Sequence, residues 1–195
     1  MFKKTMLLAM AVGAIAAFVA PTVASAQLLT DPEGVALAKN SEITATSTNL
    51  VTTTGLGDLT CGKVTIHLKV TKNTGATSAA ESTSVTTENC DLLTTPSLAV
   101  DPATITSATT KFHIEKAGVG TTTATFIAHL YANEAKHLAN EPFAICHESG
   151  TPGITYGADT DVIHVSGALT GPCGNASIAG DFTIETANGT RVTID

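Results

Sequence analysis

Four cysteines, six histidines and a few spaced carboxylates are the side chains in this sequence with the means to do chemistry. A metal site would need several of them to converge. A fold could draw His129, His137, His147, Glu148 and His164 together, but no H-E-x-x-H or comparable helical spacing links them, and no two cysteines form a C-x-x-C pair. His67 lies between Lys63 and Lys69 on a strand face expected to be wet, where the lysines repel a metal ion. Asp159 with Asp161, or Glu141 with Glu148, are of the type used as glycosidase acid and base, and the aspartates could also ligate calcium. The commoner role of such carboxylates is to solvate loops. The sequence has no G-x-S-x-G nucleophile elbow and no G-x-x-x-x-G-K-[ST] phosphate loop. It therefore assigns no catalytic residue, no metal ligand and no cofactor, and a non-enzymatic protein is expected.

Carbohydrate recognition on a β-fold usually relies on exposed rings that stack on sugar faces. There is no Trp, and beyond residue 26 the aromatics are Phe112, Phe126, Tyr131, Phe143, Tyr156 and Phe182. Phe126 and Phe182 are wanted for a core, which leaves Tyr131 and Tyr156 as candidate ligand-binding residues.

The cysteines read most simply as structural. Residues 1–26 have the form of a signal peptide: Met1-Phe2-Lys3-Lys4, an apolar run from Thr5 to Ala20, and Ala24-Ser25-Ala26 as a cleavage site before Gln27. The apolar run is short for a membrane span, and no other stretch is longer. A secreted or extracellular protein is expected, periplasmic if its source has an outer membrane. In that setting Cys61, Cys90, Cys146 and Cys173 form two disulfides with three connectivities open, of which Cys61–Cys90 and Cys146–Cys173 are favoured. Each would close a loop of just under about thirty residues, worth roughly 3 to 4 kcal/mol on the chain-entropy account.

Without Lys3 and Lys4 the chain has 8 basic and 17 acidic residues, a formal charge of −9. An acidic surface without basic clusters cannot neutralise a phosphate backbone and is repelled by anionic lipid, so neither nucleic acid nor stable membrane insertion is expected. Threonine is the compositional outlier, with 33 after residue 26. Its β-branched side chain favours strands with a solvated face.

The elements that would hold these residues follow from alternation. From Val64 to Val70 even positions are aliphatic and odd ones are Thr, His or Lys, the pattern of a half-buried strand within Leu59–Lys72. Leu59 and Cys61 have the opposite parity, so a one-residue bulge at Gly62 or Lys63 is expected to reconcile them. Residues 27–40 read as an N-terminal arm with a turn at Asp31-Pro32-Glu33-Gly34, and 41–195 as one domain. Ser41–Thr54 gives one or two strands with Ile43, Ala45 and Leu50 inward. Thr83–Cys90 returns as a strand, Asp91–Pro102 is broken by prolines, and Thr110–Glu115 pairs with Thr121–Tyr131 as a hairpin. Asn133–Asn140 is a short helix capped by Asn133, with Ala135, Leu138 and Ala139 inward. Strands continue at Phe143–His147, Ile154–Tyr156, Val162–Leu169 and Ser177–Thr186. A three-residue loop, Ala187-Asn188-Gly189, would set Ile184 against Val192 and Glu185 against Arg191, so that both faces agree.

The order of short motifs from Ser41 to Asp195 resembles a group of functionally uncharacterised small exported four-cysteine proteins of soil actinobacteria. It rests on Ser47-Thr48-Asn49-Leu50-Val51-Thr52-Thr53, Leu59-Thr60-Cys61, Lys72-Asn73-Thr74-Gly75, Asn89-Cys90, Ala144-Ile145-Cys146, and Cys173-Gly174 leading to Gly180-Asp181-Phe182-Thr183-Ile184. Pro172-Cys173-Gly174 is weakly similar to PraB-like secreted proteins linked to surface association and alkane growth. Neither resemblance supplies catalytic residues.

The expected architecture is a single antiparallel β-sandwich, immunoglobulin-like in outline, with a Thr-rich exterior and two disulfides. The expected role is that of an exported surface or extracellular-matrix protein, adhesive or self-associating through exposed strand edges, whose partners are copies of itself or cell-surface components. A small-ligand or carbohydrate-binding module is the alternative, and a hydrolase stands behind it.

Overall fold

The computed structural model describes residues 28–93, 100–115, 118–157 and 160–194, with side chains described except at 100–109 and 114. The signal segment and the Ala26/Gln27 cleavage site lie outside these residues. The strands are β1 (Leu29–Thr30), β2 (Glu42–Ser47), β3 (Val51–Thr54), β4 (Gly57–Asn73), β5 (Thr77–Leu93), β6 (Val100–Glu115) and β7 (Val119–Leu130). A short helix, α1 (Glu134–Leu138), precedes β8 (Ala144–Gly150), β9 (Gly153–Thr155), β10 (Val162–Gly171), β11 (Gly174–Thr186) and β12 (Thr193–Ile194).

Strands β4 to β7 form a meander. β7 pairs with β8 and β9, both of these with β10, β10 with β11, and β11 with β2 and β3, which return to β4. β2 and β3 keep one register against β4, and β8 and β9 keep one against β7, so each pair is a single interrupted stave. The sheet closes as an eight-stranded antiparallel barrel. This corrects the expected immunoglobulin-like sandwich. Alternation shows that one face of a strand is buried, but the covering surface here is the far wall of the same sheet and not a second sheet. Of the two prolines expected to break Asp91–Pro102, Pro102 sits near the start of β6 opposite Asp91, and Pro96 lies outside the described residues.

The β3–β4, β7–β8 and β10–β11 connections and the paired ends of β5 and β6 at Leu93 and Val100 lie at one end of the barrel, together with Cys61–Cys90 and Cys146–Cys173, the favoured pairing. The opposite end is closed by the arm and the C-terminal segment. β1 pairs with β12, and Leu28, Leu29, Val192 and Ile194 are each at most 2% exposed. Asn73 fixes this plug. Its Oδ1 accepts from Leu29 N and Ser78 Oγ, and its Nδ2 donates to the carbonyls of Leu29 and Leu37. The closing loop matches expectation: Glu185 bridges Arg191, Val192 N donates to Ile184 O, and Gly189 takes a left-handed φ of 75°.

In β4, Leu59, Cys61, Val64, Ile66, Leu68 and Val70 are all buried, as the alternation requires. The register explanation needs correction, because Cys61 faces Cys90 and Lys63 faces Glu88 with no slip between them. The two strands change face together. Gly62 and Lys63 are exposed in succession on β4, as are Glu88 and Asn89 on β5, and Asn89 has a φ of 51°. The register slips lie further along this pair, between His67 and Leu68 and between Val70 and Lys72. Between β5 and β6 pairing runs over Thr77–Glu81 and again over Cys90–Leu93, while residues 82–89 have no ladder partner in β6.

Replacing Asn73 with Ala removes four hydrogen bonds at about 0.5–1.5 kcal/mol each, so a stability loss of about 2–6 kcal/mol is expected in urea unfolding. A loss under about 1 kcal/mol would show that apolar burial alone holds the plug.

Candidate functional site

The structure separates the candidate ligand tyrosines and removes one of them. Tyr131 is 2% exposed; its hydroxyl donates to Asn140 Oδ1 and its ring lies 4.8 Å from that of His137. It is a structural side chain at the start of the β7–β8 connection. Tyr156 is half-buried at the plugged end, where its hydroxyl donates to the Glu115 carbonyl and its N–H to Gly118 O. Burial raises the phenol above its ordinary value, with Glu115 adding to the effect and the Gly118 backbone opposing it. The group therefore stays a proton donor and ties β9 to the β6–β7 turn.

The histidines point in different directions. His67 is exposed on the outer wall, with Thr44 Oγ1 3.2 Å from its Nδ1. With Glu42, Thr83 and Ser84 it borders a shallow outer groove of about 350 Å³ that has no phenyl or phenol ring for a sugar to stack on. His147 faces outward while its neighbour Glu148 faces inward. His129 and His137 sit near the β7–β8 connection, and His164 is on β10. The five residues considered for a metal do not gather. Among the described residues the one cluster with ligand geometry is Cys146, Glu148 and Cys173, and its two sulfurs are bonded to each other.

Glu148 is the buried group that sequence reasoning placed wrongly. Considered as a loop carboxylate, it is fully buried in β8, and its Oε1 accepts from Cys173 N at 3.2 Å. Gly171 makes room for it, since a Cβ there would lie 2.6 Å from the carboxyl carbon and 2.2 Å from His147 O. The alternation Cys146-in, His147-out, Glu148-in was legible, but the charge argued against burial. Glu141 instead pairs with Lys136 on the surface, so Glu141 and Glu148 form no acid–base couple. Asp161 meets Arg191 at 3.1 Å, and its proposed partner Asp159 lies outside the described residues.

One ordered polar constellation was missed. His164 Nδ1 lies 2.7 Å from Asp181 Oδ1 across β10 and β11, and Asn49, in the break between β2 and β3, donates to Asp181 Oδ2 and accepts from Asp181 N. The bond from His164, and then that from Asn49, holds the Asp181 carboxylate below its ordinary value of 3.8. The three groups lie on the outer wall, and His164 and Asp181 are each about half exposed. They orient an imidazole but are not set in a cleft.

Large apolar side chains are exposed mainly at the disulfide end. Leu56 is in the β3–β4 turn, Leu93 ends β5, Leu138 ends α1, and Phe143 and Ile145 open β8. The helix has the expected cap, with Asn133 Oδ1 accepting from Lys136 N, but its expected inward face is absent. None of its residues is buried and Leu138 is 80% exposed, because little more than one turn is too short to present an apolar stripe to the barrel. No protein-family model matches the chain, and no curated protein or solved structure matches it.

Asp181→Asn tests the polar constellation. A lowered carboxylate pKa stabilises the fold above the unfolded value and loses that contribution as pH falls through the folded one. For so exposed a pair the variant is expected to cost at most about 1 kcal/mol at pH 7, with the difference from the parent vanishing once pH falls below the lowered folded value. An equal difference at both pH values would assign the effect to geometry and not charge.

Proposed function

We propose that the protein is an exported, non-enzymatic surface or extracellular-matrix component that self-associates through the disulfide end of its barrel. The carrying observation is the gathering of Leu56, Leu93, Leu138, Phe143 and Ile145 at that end, contributed by three separate connections, while the other end is plugged. Exposed large apolar residues in one region are the usual mark of a contact surface. The two disulfides are compatible with an oxidising compartment, and the signal-like first 26 residues support export. Self-association by strand addition loses much of its support, since among the described residues closure pairs both sides of every barrel stave over part of its length, with residues 82–89 of β5 unpaired toward β6.

A membrane is a less suitable partner. Among the described residues no helix is long and apolar enough to cross one. The outward positions of β4 are Thr65, His67 and Lys69, the reverse of a lipid-facing wall. The carbohydrate-binding alternative is weakened by the burial of Tyr131, and the hydrolase by the separation of surface Glu141 from buried Glu148.

Like-charged copies repel at low ionic strength and that repulsion is screened by salt, whereas apolar contact is not. Sedimentation velocity is therefore expected to show concentration-dependent association that strengthens between about 0.05 and 0.5 M salt. Phe143→Ser with Ile145→Ser is expected to leave a monomer with unchanged circular dichroism. A parent protein that stays strictly monomeric to high micromolar concentration at both salt levels removes the reading.

A further inference from the structure

The barrel interior is not completely filled. Between the Phe112–Phe182 edge-to-face pair, with centroids 6.4 Å apart, and the disulfide end lies an internal cavity of about 80 Å³. Its wall is mostly aliphatic and aromatic, including Leu59, Val64, Ile66, Phe126 and Ile178. The threonines on it have their hydroxyls engaged where the bonds are seen: Thr110 Oγ1 donates to Thr123 O, and Thr122 Oγ1 to the same carbonyl. An apolar space of this kind has few partners to offer water, and an engineered apolar cavity of about 150 Å³ stays dry and takes up benzene or xenon.

The same region of the wall is where the sheet is not laddered. Val85 and Thr87 line the cavity from β5, and both fall within the stretch 82–89 that has no ladder partner in β6. Both are only half-buried, although they point inward. At the edge of this stretch β5 and β6 are joined through a side chain, Thr110 N donating to Ser82 Oγ at 2.9 Å. Half-buried Val85 and Thr87 thus lie where β5 can move away from β6 without breaking backbone pairs between the two strands.

We propose that the barrel interior is a binding site for a single small apolar molecule, smaller than benzene, that enters between β5 and β6. The volume sets the class: it is about half that of the cavity that accommodates benzene, and far below the several hundred Å³ of a drug-sized pocket. Polypeptide, sugar and long acyl chains do not fit. The site is independent of the surface proposed for self-association.

Amide and methyl NMR of the folded protein under xenon pressure tests this. Saturable shifts are expected at Val85, Thr87, Phe126 and Ile178, with none at outward Thr65 or Lys69. Val85→Phe, which fills the cavity at the seam, is expected to weaken xenon binding at least about tenfold. Thr87→Leu serves the same purpose should the first variant fail to fold. Linear, unsaturable shifts in the parent would overturn the proposal, as would undiminished binding in a folded filled variant. Saturable benzene binding inside the barrel would overturn the size class.

Discussion

Closing a sheet on itself obliges every strand to satisfy two neighbours at once, so a change of face in one stave has to be absorbed in the next. At the level of Gly62 the buried set changes parity in β4, in β5 beside Asn89, and between β2 and β3, where Ser47 and Thr52 are both inward. β11 does not follow. Ala176, Ile178, Phe182 and Ile184 alternate without interruption, and its pairing moves by one residue between Thr183↔Thr46 and Ala179↔Val51. The break at residues 48–50 takes up that mismatch on one side. On the other side lies the unladdered seam between β5 and β6. The break that places Asn49 over Asp181 and the unladdered stretch of β5 thus lie on the two sides of the region where the faces change.

Much of this was legible in the residues, and the parts that were not share a cause. Strand positions, inward faces, both disulfides and the closing loop follow from alternation, spacing and turn chemistry, which are local. Ile184 opposite Val192 could be worked out because only one loop length lets both faces agree. The sandwich expectation failed because periodicity carries no information about what covers a buried face; β4 would read the same against a second sheet. Glu148 failed for a related reason. Its burial depends on Gly171, a neighbour 23 residues away that leaves room for a carboxylate, and no window along the chain contains both. The His164, Asp181 and Asn49 group is similarly non-local, with 132 residues between Asn49 and its aspartate.

Composition has a part in the interior as well as on the surface. Threonine was read as an exterior residue, yet Thr52, Thr54, Thr110 and Thr122 are buried. Thr54 Oγ1 donates to Gly57 O while accepting from Leu56 N, so its hydroxyl is satisfied within the β3–β4 turn. The core is chiefly Leu and Ile, but around the cavity several inward positions carry shorter side chains, among them Thr52, Val64, Thr110, Thr122, Ala124 and Val165, and an eight-stranded barrel is just wide enough that such side chains leave space. The shortage of aromatics that weakened the sugar-binding reading is also what leaves the middle of the barrel incompletely packed.

The pairing of Leu29 with Ile194 has a consequence for orientation. Both ends of the described chain leave the barrel at the same pole, and the β3–β4, β7–β8 and β10–β11 connections lie at the other. The barrel is a polarised body, with the paired ends of the described chain at one pole and Leu56, Leu138, Phe143 and Ile145 exposed at the other.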